Sequence, residues 1–179
     1  MHNSIPKKIL FSIPKYVDSR GELSLVRCKT IKTNGKNIPN FFNNTPDQIF
    51  ISKTKSWYGR GLHFQKANPL LQTVTVLNGK IYECLVETIK TKSGKKYKTY
   101  KGIISSNDKL NSLVIPKGWA HGFFTKSYEA TIIYQVWGLR KVTDEYGYNL
   151  FDSKFGFTNS FESNKIKLNK RDKSYDYID

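Results

Sequence analysis

What most limits the fold of this chain is a succession of short β-branched and aromatic runs with no long amphipathic helix between them. "QTVTVLNGKIYECLVETI" holds two such runs around Asn78-Gly79, a dipeptide that favours a type I′ hairpin turn. In the first run Val74 and Val76 alternate with Thr73 and Thr75, the period of a half-buried strand. "SLVIPKGWAHGFFT" and "EATIIYQVWGLRKV" supply further strands, and "KTKSGKKYKT" reads as a charged turn between two of them. Internal repeats and low-complexity linkers are absent. Short strands joined by Gly, Asn and Lys turns predict an all-β barrel or double-sheet jelly roll. The 179 residues make one domain, 1–179, whose polar, Lys-rich end over roughly 160–179 is expected to be either a tail or a strap over the body.

Thirty Lys and Arg against 14 Asp and Glu give a net charge of +16. A nucleic-acid binder usually gathers such charge on one face or tract beside exposed aromatics. Here the lysines are spread along the chain, so the charge reads as solvated surface that also steers a small anionic substrate, not as a nucleic-acid site. No apolar run approaches the ~18 residues of a spanning helix, and the N-terminus lacks the pattern of a signal peptide. Two cysteines, Cys28 and Cys84, form neither a disulfide framework nor a metal-ligand spacing. A reduced, cytoplasmic protein is expected.

Against that background two histidines stand out. His63 in "RGLHFQ" sits between Leu62 and Phe64, and His121 lies in "IPKGWAHGFF". In a strand, His63 faces the opposite way from its apolar neighbours. If Leu62 and Phe64 pack the layer between two sheets, His63 and Gln65 look elsewhere, into a ligand cleft. A buried histidine satisfied by a backbone carbonyl is the alternative, since an inward polar group must find a partner.

The motifs "VDSRG", "GRGLHFQ", "VLNGKIYECLVE", "VIPKGWAHGFF", "ATIIY" and "EYGYNLFDSKFGF" together resemble the dTDP-4-dehydrorhamnose 3,5-epimerase family, over roughly residues 11 to 157. The resemblance implies a cupin-type double-stranded β-helix (jelly roll) with a few short helices. It implies a homodimer that exchanges N-terminal strands, a nucleotide-diphospho-4-keto-6-deoxy sugar as substrate, and no cofactor or metal. The residues agree on the last point: a metal-binding cupin offers "HxH", and here Gln65 stands two after His63.

Removing a proton beside a C4 ketone and returning it on the other face needs a base, an acid and a group that holds the enolate oxygen. Histidine, with an unperturbed pKa of ~6.5, suits the base. By resemblance His63 is that base, Tyr134 the acid, and Asp152 the carboxylate that orients the ring, with Glu83 as the alternative. Arg60 and His121 match residues facing sugar and diphosphate, and an arginine can fork onto phosphate oxygens. Gln48 matches a ligand-facing glutamine, and Arg20 one that reaches a neighbouring subunit's nucleotide.

The sequence also departs from the family. Gln72 falls where the family has the lysine that stabilises the enolate, and Arg140 where it often has an aromatic residue. Leu25 replaces a glutamate, and Phe50 a common asparagine. Changes around the sugar with base and acid retained suggest an altered substrate or stereochemical outcome. The expected activity is therefore inversion at C3, C5 or both. A ketoisomerase and a non-catalytic nucleotide-sugar-binding module are the alternatives.

Overall fold

The computed structural model describes residues 3–11, 45–157 and 163–178, together with the backbone of 15–18, 21–24, 32–33 and 36–37. Its strands are β1 (Asn3–Ser4), β2 (Leu10–Phe11), β3 (Lys15–Asp18), β4 (Gly21–Ser24), β5 (Lys32–Thr33), β6 (Lys36–Asn37), β7 (Gln48–Lys55) and β8 (Gly59–Gln65). They continue with β9 (Leu71–Asn78), β10 (Lys80–Thr91), β11 (Gly94–Ser105), β12 (Ser112–Ile115), β13 (Ala120–Thr125), β14 (Glu129–Trp137) and β15 (Glu145–Gly147). One α-helix, α1 (Lys170–Lys173), and three 3₁₀ turns complete the described elements.

Two sheets face each other. One has the order β1-β11-β10-β13-β8-β15, and the other β2-β12-β9-β14-β7. This is the expected jelly roll, but its corners differ from the sequence reading. Strands β9 and β10 flank Asn78-Gly79, yet β9 pairs with β12 and β14 while β10 pairs with β11 and β13. Asn78-Gly79 is thus a crossing from one sheet to the other, not a hairpin. Gly79 has φ +81°, and a Cβ there would lie 2.1 Å from the Glu129 carbonyl oxygen. The tight corner needs a glycine for the same reason a hairpin would, so the dipeptide alone does not separate the two. The charged turn does close a hairpin, with Thr91 opposite Gly94.

The layer between the sheets is filled by Val74, Val76, Ile81, Leu85, Ile104, Leu113, Ile115, Phe123 and Ile132. A second cluster covers the outer face of the six-stranded sheet, where Leu62, Tyr82, Cys84, Val86 and Phe124 meet Leu150, Phe155, Phe157, Ile166 and Leu168. Period-2 alternation along β10 and β13 explains the division, because odd-numbered apolar residues face inward and even-numbered ones outward. It also corrects the reading of "GLHF". Leu62 belongs to the outer cluster with Phe64 packed on it, so His63 points into the space between the sheets. Thr73 and Thr75 are buried as well (1% and 2% exposed), so β9 is covered on both faces.

The end of the chain is a strap across the outer cluster. Lys167 exchanges backbone hydrogen bonds with β8 and the turn before it, Lys167 N to Trp57 O (2.8 Å) and Gly59 N to Lys167 O (2.9 Å). Ile166 and Leu168, 5% and 6% exposed, each gain roughly 1.5–3 kcal/mol from burial. Among the described residues no helix is long and apolar enough to cross a membrane.

Candidate active site

Two glycines set the geometry of the site. A Cβ on Gly61 would stand 2.5 Å from the His121 carbonyl oxygen, and one on Gly122 would stand 2.5 Å from that of Arg60. Strands β8 and β13 therefore cross at a distance that only glycine permits, and Gly61 adopts φ +99°. The register is irregular between His121 and Phe123, the kind of bulge that re-aims side chains. The outcome is that His63 and His121 lie directly opposite one another, facing the inter-sheet space.

There they line a cavity of about 350 Å³. One wall carries His63, Arg60 and His121 from the six-stranded sheet; the other carries Tyr134, Gln72 and Phe50 from the five-stranded sheet. Arg140, from the segment after β14, and Arg171 with Asp172, from α1, close the rim.

Each histidine has its own carboxylate. His63 Nε2 lies 2.9 Å from Asp172 Oδ1, and the Gly61 N–H donates to Asp172 Oδ2 at 3.2 Å. Burial by itself would raise the Asp172 carboxyl. The hydrogen bond and charge of His63, the Gly61 N–H and Arg171 outweigh it and hold the group below the ordinary aspartate range. An ionised Asp172 at this distance is a hydrogen-bond acceptor and a negative charge facing the His63 ring.

His121 Nδ1 lies 3.2 Å from Glu83 Oε1. Glu83 projects inward between Ile81 and Leu85 and is fully buried, and its Oε2 has no hydrogen-bond partner among the described residues. Burial raises its carboxyl above the ordinary range despite the hydrogen bond from His121. Tyr134, with its ring 6.2 Å from that of His121, is also raised, by burial first and by Glu83 second, with Arg60 pulling the other way. Its phenol therefore holds its proton firmly.

The structure reassigns one role. The carboxylate on His63 is Asp172, not Asp152, whose two oxygens accept the backbone N–H groups of Lys154 (2.8 Å) and Ile178 (2.7 Å). Asp152 ties the "LFDSK" turn to the end of the chain and is absent from the cavity wall. Glu83, the other candidate, serves His121 instead. Gln48 is not on the wall either; its side-chain oxygen accepts the Arg140 N–H at 2.7 Å and so positions a residue that is. Gln72, Arg140 and Phe50, the departures from the family pattern, all line the cavity. Arg20 and Leu25 lie outside the described residues.

Asp172 and Arg171 sit in the Lys-rich terminal stretch that the sequence reading left without a role. A signal was present: in "LNKRD" the Asn169 side chain accepts the Asp172 N–H at 2.7 Å and caps α1. Asn followed three residues later by an acidic residue is a helix-start signature. It fixes Asp172 as the third residue of a short helix whose entry is pinned by buried Leu168.

The whole pattern is matched by a family model described as dTDP-4-dehydrorhamnose 3,5-epimerase, over residues 2–179. The chain belongs to the dTDP-4-dehydrorhamnose 3,5-epimerase family. A curated dTDP-4-dehydrorhamnose 3,5-epimerase of Methanothermobacter thermautotrophicus is 34% identical over 76 residues, which span 42% of this chain and 40% of that protein. The match thus covers under half the length of that curated relative. The solved epimerase of Legionella pneumophila superposes with a TM-score of 0.75 at 19% identity, over 98% of this chain and 90% of its own. That of Bacillus anthracis gives 0.72 at 24% identity, covering 93% of this chain and 91% of its own. At those identities the structural likeness speaks to the fold, the cupin-type jelly roll of the 3,5-epimerase family.

Proposed function

We propose that the protein is an epimerase of a nucleotide-diphospho-4-keto-6-deoxy sugar, inverting C3, C5 or both through an enolate. The observation that carries this reading is the placement of an Asp172-backed His63 and a protonated Tyr134 on opposing sheets of one cavity. Inversion needs a base on one face of a ring carbon and an acid on the other, and two facing sheets supply them. Nδ1 of His63 takes the C–H proton, the electron pair enters the ring C–C4 bond, and the carbonyl pair moves to oxygen. Tyr134 then delivers a proton to the opposite face, and its phenolate and the imidazolium restore their protons through solvent. Ionised Asp172 stabilises the imidazolium while it lasts.

The relatives' ligands support the substrate class. The Legionella pneumophila protein was solved with dTDP-4-keto-L-rhamnose, the Streptococcus suis one with dTDP-D-xylose, and the Bacillus anthracis one with TDP and pyrophosphate. Arg60, which faces the cavity, is the residue of this chain suited to fork onto a diphosphate. A homodimer in the cytoplasm completes the reading. Among the described residues strand β7 is the edge of its sheet and leaves Ile49 and Ile51 56% and 70% exposed, an apolar edge suited to a second copy.

The test is incubation with a panel of nucleotide-linked 4-keto-6-deoxy sugars in heavy water, read by mass spectrometry. Uptake of one or two deuterons by wild-type protein, lost in His63→Ala, is expected. Binding without uptake from any sugar would overturn the enzyme reading and leave a binding module.

A further inference from the structure

Proton abstraction makes a negative oxygen, and the Gln72 amide, a neutral donor on the five-stranded wall, brings no charge to meet it. The structure holds a charge nearby. A recess of about 50 Å³ opens beside the two histidines, and Gln72, Arg140 and Glu145 line it with them. Arg140 lines both this recess and the main cavity.

Arg140 is held there by an unusual amount of structure for a surface loop. Three side-chain acceptors take N–H groups of its segment: Asp47 Oδ2 from Gly138 (2.6 Å), Gln48 Oε1 from Arg140 (2.7 Å) and Gln65 Oε1 from Lys141 (2.9 Å). The guanidinium Nη2 pairs with Glu145 Oε2, and the Glu145 side chain is only 3% exposed. Glu145 Oε1 pairs in turn with Arg171 Nη1 at 2.6 Å, and Arg171 Nε lies 3.4 Å from Asp172 Oδ1. Asp172 holds His63. The result is a chain of alternating charge, Arg140⁺, Glu145⁻, Arg171⁺, Asp172⁻, that is neutral overall and ends on His63.

We infer that Arg140 is a catalytic residue of the epimerisation, the cation that faces the enolate oxygen in the recess beside Gln72. Proton transfer from sugar carbon to His63 creates one positive and one negative charge. The positive one appears against Asp172 at one end of the chain, the negative one against Arg140 at the other. Neither end must be recharged or rebuilt, which is the arrangement that favours a charge-separated transition state over the neutral substrate. The inference rests on the epimerase reading and gives the two unusual wall residues one shared task, with Gln72 donating a hydrogen bond and Arg140 supplying the charge.

The experiment is solvent-deuterium uptake into the 4-keto sugar nucleotide by wild type, Arg140→Met, Gln72→Lys and the double variant, with kcat and KM separated and melting temperatures recorded. Arg140→Met is expected to lower kcat by about 10²–10³-fold, the effect of removing one oxyanion donor, with KM within roughly threefold. Adding Gln72→Lys, which returns a cation to the same recess, is expected to recover at least about tenfold of that loss, a rescue that a merely structural arginine would not show. A kcat for Arg140→Met within about threefold of wild type overturns the inference. So does failure of Gln72→Lys to restore rate in a double variant that melts with the single one. If Arg140→Met does not fold, Arg140→Gln alone and with Gln72→Lys makes the same comparison. Wild type that exchanges no deuterium with any 4-keto sugar defeats the epimerase reading and this inference with it; exchange by wild type with an unimpaired Arg140→Met defeats only the inference.

Discussion

His63 and His121 sit opposite one another on neighbouring strands, and each hydrogen-bonds a carboxylate with no exposed side-chain surface, yet the two pairs are built for different charge. Asp172 arrives from a helix and brings a capped backbone and an arginine with it; both its oxygens have donors. Glu83 projects from mid-strand between apolar neighbours, and one of its oxygens has no donor among the described residues. Burial is the first influence on both. Added donors reverse it at Asp172 and fail to reverse it at Glu83. Two neighbouring histidines thus have carboxylate partners shifted in opposite directions, Asp172 down and Glu83 up. What separates them is both the number of donors beyond the histidine and the depth of burial, since Glu83 is the more deeply enclosed of the two.

That contrast ranks the expected losses. His63→Ala removes the base and should cut deuterium uptake by about 10³-fold or more. Asp172→Asn keeps the shape but loses the charge that meets the imidazolium, and should cost kcat about 10²–10⁴-fold, with binding of a nucleoside diphosphate unchanged by calorimetry. Tyr134→Phe should uncouple two readouts: inversion, followed by NMR, falls about 10²-fold or more, while uptake on the face served by His63 persists. Glu83→Gln should be milder, about tenfold or less in kcat, because Glu83 backs His121 and not the histidine proposed as the base. If Glu83→Gln were as damaging as Asp172→Asn, the two pairs would be doing equivalent work and the contrast would fail.

How much of this was legible in the sequence depended on whether a residue's partner was local. The strands follow from period-2 patterning and short motifs, so they could be read from residues a few positions apart; the direction of His63 could not, since Leu62 and Phe64 proved to pack outside the sheet, and Tyr134 was singled out only by the resemblance. The sheet-to-sheet corner at Asn78-Gly79 could not be read locally either, because a hairpin makes the same local demand for a positive-φ glycine. The carboxylate for His63 lies 109 positions away, in a segment whose composition says only that it is polar. Asp152 was the better-looking choice because it stands in a motif, and that motif turned out to organise a turn. A cap motif that places Asp172 in the first turn of a helix was the clue that pattern reading passed over.

The smallest expected effect is also the one that tests the two carboxylates without any substrate. Asp172 is lowered on folding, so the folded state binds its proton less readily than the unfolded chain. Its stabilisation is full above the unfolded aspartate pKa of ~3.9 and is lost as pH falls through the lower, folded value. Glu83 is raised, so its contribution has the opposite sign. It is full below the unfolded glutamate pKa of ~4.3 and is lost as pH rises through the higher, folded value. Melting temperature followed from about pH 3 to about pH 8 should therefore lose part of its acid-side fall in Asp172→Asn and part of its decline above pH ~4.3 in Glu83→Gln. The two variants should depart from wild type on opposite flanks of the curve. Parallel curves for both would mean that donors and burial balance alike at the two histidines, and the assignment of His63 as the proton acceptor would then rest on geometry alone.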